Sequence, residues 1–311
     1  MQLKNEQCSY RTTGSATSVL QGSVNAELPI DYSRPFIPQD YAALYFTPVY
    51  AELSPEQRLR YNQLSGLYFN EQIIFFERTL SKNVMGSLRN MKTYAHLSGE
   101  IEKYIADETR HADKFSALNR LAAPDYYALN EYKFLKPGFM ARSLWHATST
   151  RPTVFPMYLW FMLIQEERAL HFGRGIRDSR EALEPNFYRI HCEHLADEAA
   201  HTEHDTSVLL MLWEATPRPL RKINASLLHW MIREFFSTPK RSSVSVIETL
   251  VQEFSELRDL QPAMKLALAQ PETGGVFKRS LYGPEIIPEA IKLMAAWPEL
   301  SALKAYLQEA A

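Results

Sequence analysis

Ile105-Ala106-Asp107-Glu108-Thr109-Arg110-His111 and Leu195-Ala196-Asp197-Glu198-Ala199-Ala200-His201 lie ninety positions apart and share one Asp-Glu-x-x-His pattern. A Glu and a His three residues apart lie on the same face of a helix. One such pair is weak evidence, but here the echo extends upstream. Glu77-Arg78-Thr79-Leu80 recurs as Glu167-Arg168-Ala169-Leu170, so each half reads Glu, a second Glu 31 residues on, then His. An antiparallel helical hairpin with a short connection brings a mid-helix Glu77 beside Glu108, and Glu167 beside Glu198. Two such hairpins facing each other close around one site holding four carboxylates and two imidazoles.

Four glutamates turned into a bundle interior would be severely destabilising without compensation. Two divalent metal ions cancel their charge. Carboxylate oxygens mixed with imidazole suit iron, with manganese as the alternative, better than thiolate-seeking metals. The candidate ligands are Glu77, Glu108, His111, Glu167, Glu198 and His201. Glu77 competes with Glu71, and its neighbours Phe75-Phe76 favour a buried setting for it. Glu167 competes with Glu166, which points about 100° away on the helix, and the repeat selects Glu167. Asp107 and Asp197 precede the motif glutamates and are placed to accept the second ring N–H of the His ligands; the plainer reading is solvated helix charge.

The repeat breaks at one place. His194 lies four residues before Glu198, so His194, Glu198 and His201 form one helix stripe, whereas the first half has Tyr104 there. His194 is therefore a candidate third imidazole ligand. His171, His191 and His204 have no counterpart and read as supporting or surface residues. Cys192 should face away from the metals. Phe75, Phe76, Tyr104, Trp160 and Phe161 flank the ligands and read as core first, pocket wall second.

Outward from the motifs the chain reads as all-α. Ser54-Pro55 is a good helix start, and periodic apolar residues run from there to about Leu88 with room for a break. Further helices are expected from about Ser98 to Leu121, from Thr153–Met157 to Ile176, and from Pro185 to Ala215. Lys136 to Pro156, with Pro137, Pro152 and Pro156, reads as a crossover connection. Additional helices are expected at 218–237, 244–260 and 286–309, with a loop around Pro271 to Gly275. Residues 1–54 form an N-terminal arm, extended and on the surface to about residue 40. Residues 55–215 form the four-helix bundle, and 216–311 a helical extension packed on it within a single domain.

The two Asp-Glu-x-x-His motifs, their partner glutamates and the His194-x-x-x-Glu198-x-x-His201 run together resemble the p-aminobenzoate N-oxygenase (AurF-like) family of di-iron oxygenases. The resemblance covers about residues 55–215. Acyl-carrier-protein desaturases share the paired motif but generally lack the third His. The resemblance implies a ferritin-like fold and two iron ions that activate O2. It further implies oxidation of an amine, an aryl amine or an amino group of a natural-product intermediate, to hydroxylamine, nitroso and nitro products. It implies a homodimer, an external electron donor and a small-molecule substrate, free or tethered to a carrier protein. C–H hydroxylation or desaturation by the same metal pair is the alternative, and a ferroxidase of an iron-storage protein is a third reading.

Composition excludes other classes. Of 311 residues, 46% are hydrophobic, and a net charge of −2 with interspersed signs argues against nucleic acid or an anionic membrane as partner. No run approaches a membrane span, and the first residues show no signal-peptide pattern. Two cysteines, Cys8 and Cys192, provide no disulfide framework. A cytoplasmic setting is the expectation.

Overall fold

Ser54 opens the first long helix with a reciprocal cap. Its Oγ accepts from the Gln57 backbone N–H at 3.2 Å, and the Gln57 side chain accepts from the Ser54 N–H at 2.9 Å. The computed structural model describes residues 28–136, 139–233, 241–269 and 279–308. Helix α1 (Pro55–Phe75) runs into a π-turn, Phe76–Ser81, and continues as α2 (Lys82–Arg89). The break allowed for in this stretch is thus a widened turn. A short 3-10 segment leads into α3 (Ser98–Ala122), which returns antiparallel, with Asn70 bonded to Asn119 at 2.8 Å.

The connection to the second hairpin contains α4 (Pro124–Tyr127) and α5 (Phe139–Ser149). The expected crossover connection is partly helical, because the prolines of that stretch flank α5 and do not interrupt it. Helices α6 (Met157–Asp178) and α7 (Pro185–Ala215) form the second hairpin. They approach closely at Gly173, where an added Cβ would meet the Leu195 side chain at 3.0 Å. Beyond the bundle, α8 (Arg218–Met231) packs on α6 and α9 (Arg241–Glu253) on α1. Then come α10 (Gln261–Ala269), α11 (Pro288–Met294) and α12 (Ser301–Gln308). The expected 244–260 helix ends at Glu253, and the 286–309 helix is split around Trp297-Pro298, since proline cannot continue a helix. Among the described residues there is no strand. The expected loop at Pro271 to Gly275 and the end of the 218–237 helix lie outside the described residues.

The N-terminal segment departs from expectation. Residues 1–27 lie outside the described residues, but 39–52 make three 3-10 turns, and Phe36, Ile37 and Leu44 are fully buried. Phe36 stacks on Phe187 with centroids 3.9 Å apart, and its Cβ sits where a Cβ on Gly66 would collide. Apolar burial, worth about 1.5–3 kcal/mol per large side chain, outweighs the extended bias of the prolines.

Two apolar cores result. One gathers Phe36, Leu64, Phe115 and Phe187; the other gathers Leu88, Ile101, Trp160, Leu209 and Trp213. On α3 and α7, and along the α1–α2 rod, the residues between them are buried and polar.

Candidate metal centre

Glu77 sits in the π-turn, a widened turn that often marks functional sites. Glu108 and His111 come from the middle of α3, and His194, Glu198 and His201 from the middle of α7. All six are at most 6% exposed. His194 Nε2 lies 2.8 Å from Glu77 Oε1 and 2.9 Å from Glu198 Oε1. His201 Nδ1 lies 3.1 Å from Glu108 Oε1 and 3.6 Å from Glu198 Oε1, and His111 Nδ1 lies 3.7 Å from Glu198 Oε1.

The seventh expected member is corrected. Glu167 does not join the cluster: its two oxygens accept the backbone N–H groups of Glu289 and Ala290, at 2.7 and 2.8 Å, at the start of α11. Glu166 is brought to Glu198 and His201 instead. The repeat misled at this position because its 31-residue interval spans a helix–helix connection whose length the bundle does not fix. One residue of slip on a helix changes the face by about 100°. A usable signal was present in α6: Glu166 shares a face with Ala169 and Gly173, three and seven residues on, and Gly173 is where α6 approaches α7. Glu71, the rejected alternative to Glu77, has a similar structural task. It accepts from the N–H groups of Lys133, Phe134 and Leu135 and from the Tyr127 hydroxyl.

The buried atoms Glu77 Oε2, Glu108 Oε2, both Glu198 oxygens, His111 Nδ1 and His201 Nδ1 make no hydrogen bond of good geometry. Orphaned donors and acceptors are costly in an interior, and here several converge on one point. Their chemistry, oxygen and imidazole nitrogen, fits hard or borderline divalent cations. Glu77, His111, His194 and Glu198 have atoms within 4.8 Å of one another, as do Glu108, His111 and His201, and Glu166, Glu198 and His201. Glu198 thus belongs to two of these neighbouring groups, as do His111 and His201.

Electrostatics tell the same story. Burial, reinforced by neighbouring carboxylates against the opposing pull of His194, pushes Glu77 upward; burial and Glu198 push Glu166 upward. Burial disfavours the charged form of His194, but Glu198 and Glu77 overcome it and hold the ring cationic up to about 10. Glu108 and Glu198 likewise overcome burial at His201, to about 11. Without metal, then, the cluster carries protons where cations would sit.

Of the two motif aspartates one supports an imidazole, and it does so across the hairpins. Asp197 of α7 accepts from His111 Nε2 of α3 at 3.0 Å, which lowers its pKa to about 2 and leaves His111 Nδ1 facing inward. Asp107 of α3 lies 3.9 Å from His201 Nε2, too far for a hydrogen bond. Arg110 bridges both aspartates, at 2.6 and 2.8 Å. Tyr104, the first-half counterpart of His194, donates to Glu166 Oε1 at 2.9 Å, mirroring the His194–Glu77 contact. Its ring stacks on His204.

A cavity of about 590 Å³, its open mouth included, ends on Glu77, Glu166, His194 and Glu198. Its apolar walls are Phe69, Ile73, Phe76 and Phe172, with Gln72, Gln165 and Arg168 as polar lining. Of the flanking aromatics picked from sequence, Phe76 lines it, whereas Phe75, Tyr104, Trp160 and Phe161 belong to the core or its rim. His191 also faces the cavity; burial lowers its pKa to about 3, so it is neutral. Cys192 is buried and outside both cluster and cavity.

The family model described as P-aminobenzoate N-oxygenase AurF matches residues 24–270 of the chain. That span contains both hairpins and every residue of the cluster. No curated protein matches the chain. No helix among the described residues is long and apolar enough to cross a membrane.

Proposed function

The chain belongs to the p-aminobenzoate N-oxygenase family of di-iron oxygenases, and from that premise we propose that it oxidises the nitrogen of an arylamine with O2. The observation that carries the reading is the convergence of four buried carboxylates and three buried imidazoles at the inner end of an aromatic-walled cavity. Glu77, Glu108, His111, Glu166, His194, Glu198 and His201 would together hold the two iron ions. When bound, the iron pair supplies O2 activation and oxygen transfer to nitrogen.

The protein's own residues do the rest. Asp197, itself held by Arg110, fixes the His111 ring so that Nδ1 is its free nitrogen. Tyr104 orients Glu166 by donating to one of its oxygens, leaving the other for the ion. Phe69, Phe76 and Phe172 exclude water and offer flat faces to an aromatic ring. Neutral His191 presents a ring nitrogen without a hydrogen-bond partner to the same space, suited to an amine N–H. A cavity able to take an organic molecule favours this reading over ferroxidase or storage.

The test is iron analysis of the purified chain, then incubation with arylamines, O2 and a chemical reductant, with products followed by mass spectrometry. About two iron ions per chain and hydroxylamine, nitroso or nitro products are expected. Ring or side-chain hydroxylation instead would move the reading to C–H oxidation, and ferric mineral without organic product would move it to iron handling.

A further inference from the structure

Asp205 is wholly buried on α7, and neither of its carboxyl oxygens has a hydrogen-bond partner. Among the described residues it joins no ion pair, and it bonds to none of the seven residues of the cluster. At 100° per residue it continues the His194–Glu198–His201 stripe one turn further, about 20° off line. Helix α7 packs on α3 and α6. Charged and titratable groups reach Asp205 from all three: Glu108 and Tyr104 of α3, Glu166 of α6, Glu198 and His201 of α7 itself. Burial, reinforced by Glu108 and Glu198 against the pull of His201, raises its carboxyl well above the usual carboxylate range. The two motif aspartates, Asp107 and Asp197, differ in being partly exposed and paired with Arg110.

An ionised carboxylate without a partner is very costly in an interior, so Asp205 beside a reduced centre is a neutral acid. Four glutamates already balance two divalent ions there, and a fifth anion would be in excess. Withdrawing two electrons adds two positive charges. At low dielectric their attraction favours the carboxylate over the acid. We infer that Asp205 is a redox-linked proton store for the metal centre. It takes one proton from solvent as an external donor delivers two electrons, and releases it when O2 takes them. Monooxygenation consumes amine, O2, two electrons and two protons and yields hydroxylamine and water. The store covers one of those protons, and solvent supplies the other. The inference rests on the proposed iron pair but not on the choice of amine.

The full chain is loaded with iron and cycled between reduced and oxidised forms in an electrochemical cell without substrate. Reduced-minus-oxidised infrared spectra should show a protonated carboxyl C=O band in the reduced form. That band should shift when the aspartates carry carbon-13, vanish in Asp205→Asn, and move but persist in Asp205→Glu. The potential of the pair should fall with pH between about pH 6 and pH 8. Its slope in Asp205→Asn should be shallower by about 30 mV per pH unit, one tenfold step of a two-electron couple. Iron content and melting temperature show whether each variant is intact; if Asp205→Asn is not, the labelled unaltered chain and Asp205→Glu decide. No such band, a band insensitive to the label, a band that survives Asp205→Asn, or an unchanged slope overturns the inference. A chain that holds no redox-active metal overturns it together with the proposed function. Carbon oxidation in place of nitrogen oxidation removes the arylamine reading and leaves the proton store standing, since both reactions consume the same protons.

Discussion

At Glu166 and Glu167 a single step along α6 separates a side chain that meets the imidazole cluster from one that holds the start of α11. Replacing each in turn should give opposite signatures. Glu166→Gln should lower iron below two per chain with little effect on the apo fold, since it removes an inward carboxylate that burial already disfavours. Glu167→Gln should retain iron but lose about 1–3 kcal/mol of stability, the cost of loosening hydrogen bonds made to a charged group. Iron analysis and thermal melts distinguish the two. Asp197→Asn should weaken metal binding by about 10–100-fold, because such supporting groups fix the ring nitrogen that faces the ion; a competitive chelator titration reads this directly. The residues on α3 and α7 were legible in sequence because Glu and His three apart within one helix must share a face. The partner on α6 was not, because its spacing runs through a connection that helical geometry does not constrain.

At the scale of elements, the π-turn Phe76–Ser81 sets the face that Glu77 presents. Deleting Thr79 shortens this turn by one residue and closes it towards plain α-helix, which removes the local widening that sets how Glu77 meets its partners. Iron content should fall, while far-ultraviolet circular dichroism changes little. Helix α7 was legible almost to the residue: Pro185 suits a first helical position, and the helix closes just before Pro217. Helices α5 and α10 were hidden, the first by flanking prolines and the second by its shortness, nine residues in a segment without strong periodicity. The buried N-terminal turns were hidden too. Their burial depends on Gly66 admitting Phe36, a contact between segments that no local pattern encodes.

For the molecule as a whole, the belt of charge between two apolar cores makes stability depend on metal and pH together. In the metal-free chain, burial raises Glu77 and Glu166, and neighbouring carboxylates raise His194 and His201 to about 10 and 11. Groups whose folded pKa is raised stabilise the fold at low pH and lose that contribution as pH climbs toward the folded value. The apo melting temperature should therefore fall between pH 6 and pH 9. Metal must displace the same protons, so its affinity should rise over that window, and so should the increment in melting temperature that a fixed iron concentration produces. Melts with and without ferrous iron across the range check both slopes; parallel slopes would show that the ions bind elsewhere.

The crosswise contact from His111 to Asp197, with Arg110 reaching both aspartates, carries a consequence for the order of assembly. The first hairpin folded alone would present an imidazole with nothing behind it, since the carboxylate that steadies His111 belongs to the other half. The ring is fixed only once the two hairpins have docked, so an oriented ligand nitrogen is a product of tertiary assembly and not of either helix pair.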